Sequence, residues 1–227
     1  LYSMIEYKNI TLIGTSHISP ESINEVKNCI KIIQPQFIAL ELDKGRFDSL
    51  MQISSSGRLT LVAFKKLGVK GVMFSIFGAW IEHKLGKMVG TKPGNEMKGA
   101  VIEGAKIKAR IILIDQEIGI TLKRLFKNLT WKEKIRFVLD LLKGLFGIGE
   151  KIQIDLKKVP GDELIEKLIL SVKDRYPSIY KVLIEERNVF MAKKLQHFIL
   201  KYPEAKIVAV VGAGHQKGII EELQKVN

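Results

Sequence analysis

The chain has 227 residues, 46% of them hydrophobic, and its 37 Lys or Arg against 24 Asp or Glu give a formal net charge of +13. That length and apolar content are enough for a packed core and exclude a disordered chain. The one cysteine, Cys29, excludes an internal disulfide, fits a reducing compartment, and falls in an amphipathic pattern where a thiol is a small core residue.

The basic excess is uneven, with eleven Lys or Arg against three Glu over residues 51–110. Such a surface suits nucleic acid, an anionic membrane or an acidic partner. No aromatic–basic interleaving, zinc finger or recognition-helix pattern is present, so nucleic acid is not expected. Membrane proximity stays open beside the plainest reading, a solvated lysine-rich surface. The longest apolar run, Gly71 to Ile81, is shorter than the roughly 20 residues that span a bilayer. No secretory signal pattern opens the chain. Translation is expected to start at Met4, and a soluble, cytoplasmic domain is expected.

Ile10 to Ile13 reads as a strand ending at Gly14. Ser19-Pro20-Glu21 is a helix start, with a cap, a proline in the first turn and an acid beside it. Ile23, Val26, Ile30 and Ile33 share one face of that helix, and Pro35 ends it. Phe37 to Leu42 is apolar nearly throughout, as a strand buried on both faces is. Strand, helix, strand in this order implies a parallel crossover.

Residues 46–92 show scattered glycines, lysine pairs and helical spacing, and read as a helical insertion. Its cluster Val72, Met73, Phe74, Ile76 and Phe77 is expected to form a homodimer contact. A helix is expected from Glu96 to Lys108, a strand from Arg110 to Asp115 and a helix from near Thr121. From Trp131 to Leu200 the pattern is helical, broken near Gly147–Ile152 and at Pro160-Gly161. Lys206 to Val211 is the last strand, with a helix from Lys217. The expected fold class is α/β: a mostly parallel central sheet with flanking helices and a large helical insertion, in one domain over residues 1–227.

In such sheets functional groups collect beyond the carboxyl ends of the strands. That rule selects His17, Glu41, Asp43, Asp115, Glu117 and His215. Gly14-Thr-Ser-His17 and Gly212-Ala-Gly-His215 repeat one device, a glycine turn after an apolar strand that delivers an imidazole to the sheet edge. Two imidazoles and a carboxylate make an ordinary divalent site with a position open to water. The alternative is a histidine acting as a general base without metal. His83 and His197 lack the strand-end context.

Gly14-Thr-Ser-His17-Ile-Ser and Ala39-Leu-Glu-Leu-Asp43-Lys-Gly-Arg46 resemble the opening of the TraB/PrgY family. Pro93-Gly-Asn-Glu96-Met, Ile114 to Arg124, Glu186-Arg187-Asn188 with Met191-Ala192, and Val211-Gly-Ala-Gly-His215 agree with it in order along nearly the whole chain. The family is similar to the Tiki proteases and to the erythromycin esterase-like and GumN-like proteins. The resemblance implies a metal-dependent hydrolase, peptidase-like, with manganese or cobalt favoured and zinc a further candidate. On that basis His17, His215 and Glu41 are expected as metal ligands, Glu41 alternatively as the base that activates water. Glu96, Arg46 and Arg187 are expected to face the site, Arg187 holding a carboxylate or stabilising an oxyanion. Asp43 is expected to cap or buttress its turn, and Asp115 to hydrogen-bond a ligating imidazole. Lys123 and Arg124 read as surface residues. Members are often membrane-associated through a C-terminal hydrophobic region, which this sequence lacks, so a soluble fragment of a membrane-associated protein is expected. The resemblance departs at Gln116-Glu117, where the family often carries an Arg-Asp pair: the acid is kept in type and the arginine is lost.

Three functions follow: a metal-dependent peptidase acting on a peptide signal or membrane-proximal protein substrate; a non-catalytic module of the pheromone-shutdown type that sequesters a peptide; and an esterase.

Overall fold

The computed structural model of the protein describes residues 4–15, 20–51, 94–145 and 162–225. The expected insertion therefore lies largely outside the described residues, as do its apolar cluster 72–77, His83 and His17.

Among the described residues five strands form one sheet: β1 (Met4–Tyr7), β2 (Ile10–Thr15), β3 (Phe37–Leu40), β4 (Arg110–Leu113) and β5 (Ile207–Gly212). Their order is β1-β2-β5-β3-β4. Only β1 runs antiparallel, against β2; the other pairings are parallel. The mostly parallel α/β sheet is thus as expected, while β1 is additional. Its four residues alternate exposed and half-buried at the sheet edge, which leaves little apolar pattern to read. Asn9, in the turn after β1, donates from Nδ2 to the carbonyls of Tyr202 and Ala205 at 2.9 and 2.7 Å. It thereby ties the first hairpin to the loop entering β5.

Every residue of the central strand β5 is buried. Its side chains alternate between two cores. Ile207, Ala209 and Val211 meet Met191, Leu195 and Ile219, whereas Val208 and Val210 meet Val26, Ile30, Met97 and Ala100. The second core is roofed by α1 (Pro20–Ile33) and, after the short α2 (Lys44–Leu50), by α3 (Asn95–Lys106). Cys29 belongs to that core, and burial pushes its thiol up to about 11. α3 starts after Gly94, whose φ of 87° favours glycine and where a Cβ would lie 3.2 Å from Leu50.

After β4 the chain forms α4 (Ile118–Asn128), α5 (Trp131–Leu145) and α6 (Asp162–Arg175). The short α7 (Pro177–Tyr180) continues through one π turn (Lys181–Glu185) into α8 (Glu186–Lys201). α9 (Ala213–Gln224) follows β5 directly, and α8 and α9 cover the first core. Among the described residues no helix is long and apolar enough to cross a membrane.

Glu133 holds two helix starts together. Its Oε2 accepts from Thr130 N and Oγ1 at 2.9 and 2.7 Å, a capping box for α5, and its Oε1 accepts from Ser178 N at 2.8 Å, at the start of α7. Burial pushes this carboxyl up, but the bonds from Ser178 and Thr130 outweigh it and hold it at about 2, against an ordinary 4.5. A depressed acid stabilises the fold above its unfolded value and loses that contribution as pH falls through the folded one. Glu133→Gln is therefore expected to cost about 1–2 kcal/mol at pH 7. Urea unfolding at several pH values should show the gap to wild type closing as pH falls from 4.5 towards 2.

Candidate functional site

The parallel register brings several strand ends to one edge. Thr15 pairs with Gly212, and Leu40 pairs with both Val210 and Leu113. One residue beyond β3 stands Glu41, two beyond β4 stands Asp115, and the first turn of α9 carries His215. All three are buried, at 6, 3 and 5% exposure.

The group that joins them is Arg187, from the first turn of α8. Its Nη2 donates to Glu41 Oε1 and, at 2.7 Å, to Asp115 Oδ2. Its Nε donates to both Asp115 oxygens at 3.2 Å. Its Nη1 donates to the Leu183 carbonyl at 3.2 Å and meets His215 Nε2 at 3.0 Å. A guanidinium has five N–H donors and no acceptor, so each of its N–H groups is engaged by the protein. The π turn just before α8 supplies the Leu183 carbonyl; such turns interrupt the regular i→i−4 ladder and recur at functional sites.

Glu41 is fixed from both sides. Its Oε1 takes Arg187, and its Oε2 accepts from Gly212 N at 2.6 Å, at the start of α9 where the helix dipole favours an acid. Asp115 takes two guanidiniums, with Arg46 Nη2 at 2.5 Å besides Arg187, and also accepts from Gln116 N at 2.8 Å. Burial pushes the Asp115 carboxyl up, but hydrogen bonding and charge from Arg187 and then Arg46 outweigh it and hold it below its ordinary range. Burial lowers both arginines, yet Glu41 and Asp115 keep Arg187, and Asp115 and Asp43 keep Arg46, above the ordinary guanidinium value. Asp43 caps α2: Oδ1 accepts from Arg46 N at 2.9 Å, and Oδ2 from Arg46 Nε at 2.7 Å and from Ile118 N at 3.2 Å. It thereby couples the end of β3 to the start of α4.

The structure thus brings together Glu41, Arg46, Asp43, Asp115, Arg187 and His215. The partner of the imidazole Nδ1 is Asn188 Oδ1 at 2.7 Å, while Asp115 serves the two arginines. Glu96 is buried in the first turn of α3. Gln116, at the departure from the family pattern, is buried and donates to Thr121 Oγ1 at 2.8 Å. Arg124 lies outside this cluster, exposed and paired with Glu186 at 2.5 and 2.8 Å. His197 is exposed against Phe198.

Asn188 carried no role in the sequence reading, and neither did Gly218 or Gln216. One local signal existed: His215 and Gly218 are three apart, hence on one face of α9, with a glycine leaving room beside the imidazole. Gln216 Nε2 donates to the Leu12 carbonyl at 3.0 Å, and a Cβ at Gly14 would lie 2.7 Å from its Oε1, so the glycine of the first turn makes space for a residue of the second.

Among the described residues three carboxylates, Glu41, Asp43 and Asp115, meet two guanidiniums, Arg46 and Arg187. His215 Nε2 and Glu41 Oε1 lie 3.4 Å apart, a separation that two donors about 2.1 Å from one ion can adopt. Among the described residues no group of three or more His, Cys, Asp or Glu side chains is disposed around a common metal position; His17 lies outside them.

A model of the TraB/PrgY/gumN family matches residues 5–227. The chain is 39% identical over 225 residues to an uncharacterised protein of Methanocaldococcus jannaschii, covering 96% of this chain and 54% of that one. It is 24% identical to the TraB domain-containing protein of Homo sapiens and 23% to that of Bos taurus, in each case over 92% of this chain and 61% of the relative. The chain therefore spans about half to three fifths of the length of these relatives. The chain belongs to the TraB/PrgY/gumN family.

Proposed function

We propose that this edge of the sheet is the active site of a metal-dependent hydrolase, a peptidase acting on a peptide signal or membrane-proximal protein. The observation that carries the reading is the buried Glu41–Arg187–His215 cluster, with a carboxylate oxygen and an imidazole nitrogen 3.4 Å apart. His215 and Glu41 would hold the ion, with His17 as the third donor assigned by the two matching glycine turns. Manganese or cobalt is favoured and zinc is a further candidate. Once bound, such an ion lowers the pKa of water and polarises a carbonyl.

The remaining roles belong to the chain's own residues. Arg187 orients Glu41, in keeping with its expected role of holding a carboxylate; its Nη1 also faces the single lone pair of His215 Nε2 and would give up that contact when an ion binds. Asp115 and Arg46 brace Arg187 from behind, and Asp43 anchors Arg46. Gly212 N sets the second oxygen of Glu41. The arrangement is preorganised, because each polar group is held by another that is itself held.

The test is a chelator-stripped protein, reloaded with Mn²⁺ or Co²⁺ and incubated with a synthetic peptide library read by mass spectrometry. Cleavage that needs the ion and falls at least about 100-fold in His215→Ala supports the proposal. Peptides bound by the loaded protein and left uncut would support the sequestering module instead. Cleavage of esters but not of peptides would support the esterase.

A further inference from the structure

We propose that Asn188 is a positioning residue that locks His215 in the tautomer protonated on Nδ1, so that the lone pair of Nε2 faces Arg187 on the site side, and that Gly218 exists to admit it. Arg187 can only donate. Its Nη1 lies 3.0 Å from His215 Nε2, nearer than the Glu41 oxygen at 3.4 Å, which assigns that nitrogen as the acceptor, without a hydrogen. The proton of a neutral ring then sits on Nδ1. The atom 2.7 Å from Nδ1 is Asn188 Oδ1, an acceptor, as this requires. The donor-only chemistry of one neighbour thus fixes the ring, and the ring fixes which end of the carboxamide faces it.

The other end of that carboxamide points at α9. A Cβ built on Gly218 would meet Asn188 Nδ2 well inside contact distance and its Cγ at 3.0 Å. The amide is buried, at 6% exposure, so it has little room to withdraw. Three consequences follow from one glycine: α9 approaches α8 closely, Asn188 reaches the imidazole, and Nε2 is left as the acceptor on the site side. Either role proposed for His215, metal ligand or base, needs that nitrogen unprotonated. The inference deepens the proposed function, but the tautomer does not depend on it.

The experiment is ¹⁵N NMR of the imidazole in the chelator-treated full chain at neutral pH, followed by calorimetric titration with Mn²⁺. Wild type is expected to show Nδ1 protonated and Nε2 bare. Asn188→Leu removes the acceptor at similar volume, and the proton is expected to move to Nε2 in a substantial fraction of molecules. Asn188→Asp keeps an acceptor and should keep the Nδ1 proton. Gly218→Ala is expected to reproduce the leucine spectrum from the neighbouring helix, which keeps the test open if Asn188→Leu does not fold. Mn²⁺ affinity should fall about 10–100-fold in Asn188→Leu and recover in Asn188→Asp. A wild-type ring protonated on Nε2, or an Asn188→Leu ring with the wild-type tautomer, would overturn the inference. A wild type with the expected tautomer but no Mn²⁺ binding would leave the inference standing and remove the metal from the proposed function.

Discussion

Arg187→Leu is expected to be the most destabilising single change in the site, by about 3–5 kcal/mol, because it strands buried charges whose partner is gone. Glu41 and Asp115 are 6 and 3% exposed, so water cannot replace the guanidinium. The Leu183 carbonyl and His215 Nε2 lose a donor in the same step. Arg187→Lys should recover only part of the loss, since one ammonium cannot reach four acceptor groups that a planar fork spans. The pH dependence adds a check. Asp115 lies below its ordinary 3.8 in the fold, through Arg187 and then Arg46 acting against burial. Its contribution is therefore present above 3.8 and lost as pH falls through the folded value. Arg187→Leu removes the larger of the two depressors, so the variant gains less stability as pH rises. Thermal or urea unfolding should show a difference from wild type that is large at pH 7 and shrinks in acid. A difference below about 1 kcal/mol at pH 7 would show that the cluster is solvated and not the rigid unit described.

How much of this was legible beforehand follows from where the signals lie. β2, β3 and β5 are buried, so their apolar runs announce them, and the residues just past them, Glu41 and His215, follow from the edge rule. β1 was not visible because half of its residues face water. α9 starts at Ala213 rather than Lys217. Glycine at 212 and 214 argues against helix on propensity alone, but Glu41, just past β3, accepts the Gly212 N–H, a contact 171 positions away. Asp115 was readable as a strand-end acid, yet its partners were not, because they sit on α2 and α8. The approach of Asn188 to His215, 27 positions apart, depends on the spacing of two helices, which no local pattern encodes. Arg187 entered only through the family resemblance. Beside Glu186 on a helix it reads as half of a surface ion pair, whereas Glu186 turns outward to Arg124 and Arg187 turns in.

Glu41→Gln carries the second large effect, although it changes volume hardly at all. Both carboxylate oxygens face donors, Arg187 on one side and Gly212 N on the other. An amide offers one oxygen and one NH₂, so whichever way it turns, a donor meets a donor. The expected cost is about 2–4 kcal/mol, from an unmet buried hydrogen bond together with the lost carboxylate charge beside Arg187. The change also removes one negative charge and a proposed ligand, so Mn²⁺ affinity should fall at least about 100-fold, beyond the range expected for removing a group that only orients a ligand. Calorimetry on folded Glu41→Gln separates the two effects: a variant that is destabilised yet binds Mn²⁺ as wild type does would make Glu41 a structural brace and not a ligand or base.

In the proposed function the imidazole after β5 and the carboxylate after β3 share one cation. Anomalous scattering from crystals soaked in Mn²⁺ addresses it directly. One strong peak is expected within coordination distance of both His215 Nε2 and a Glu41 oxygen, absent from His215→Ala crystals. Saturating Mn²⁺ with no peak between these two residues, and His215 Nε2 still against Arg187, would contradict it.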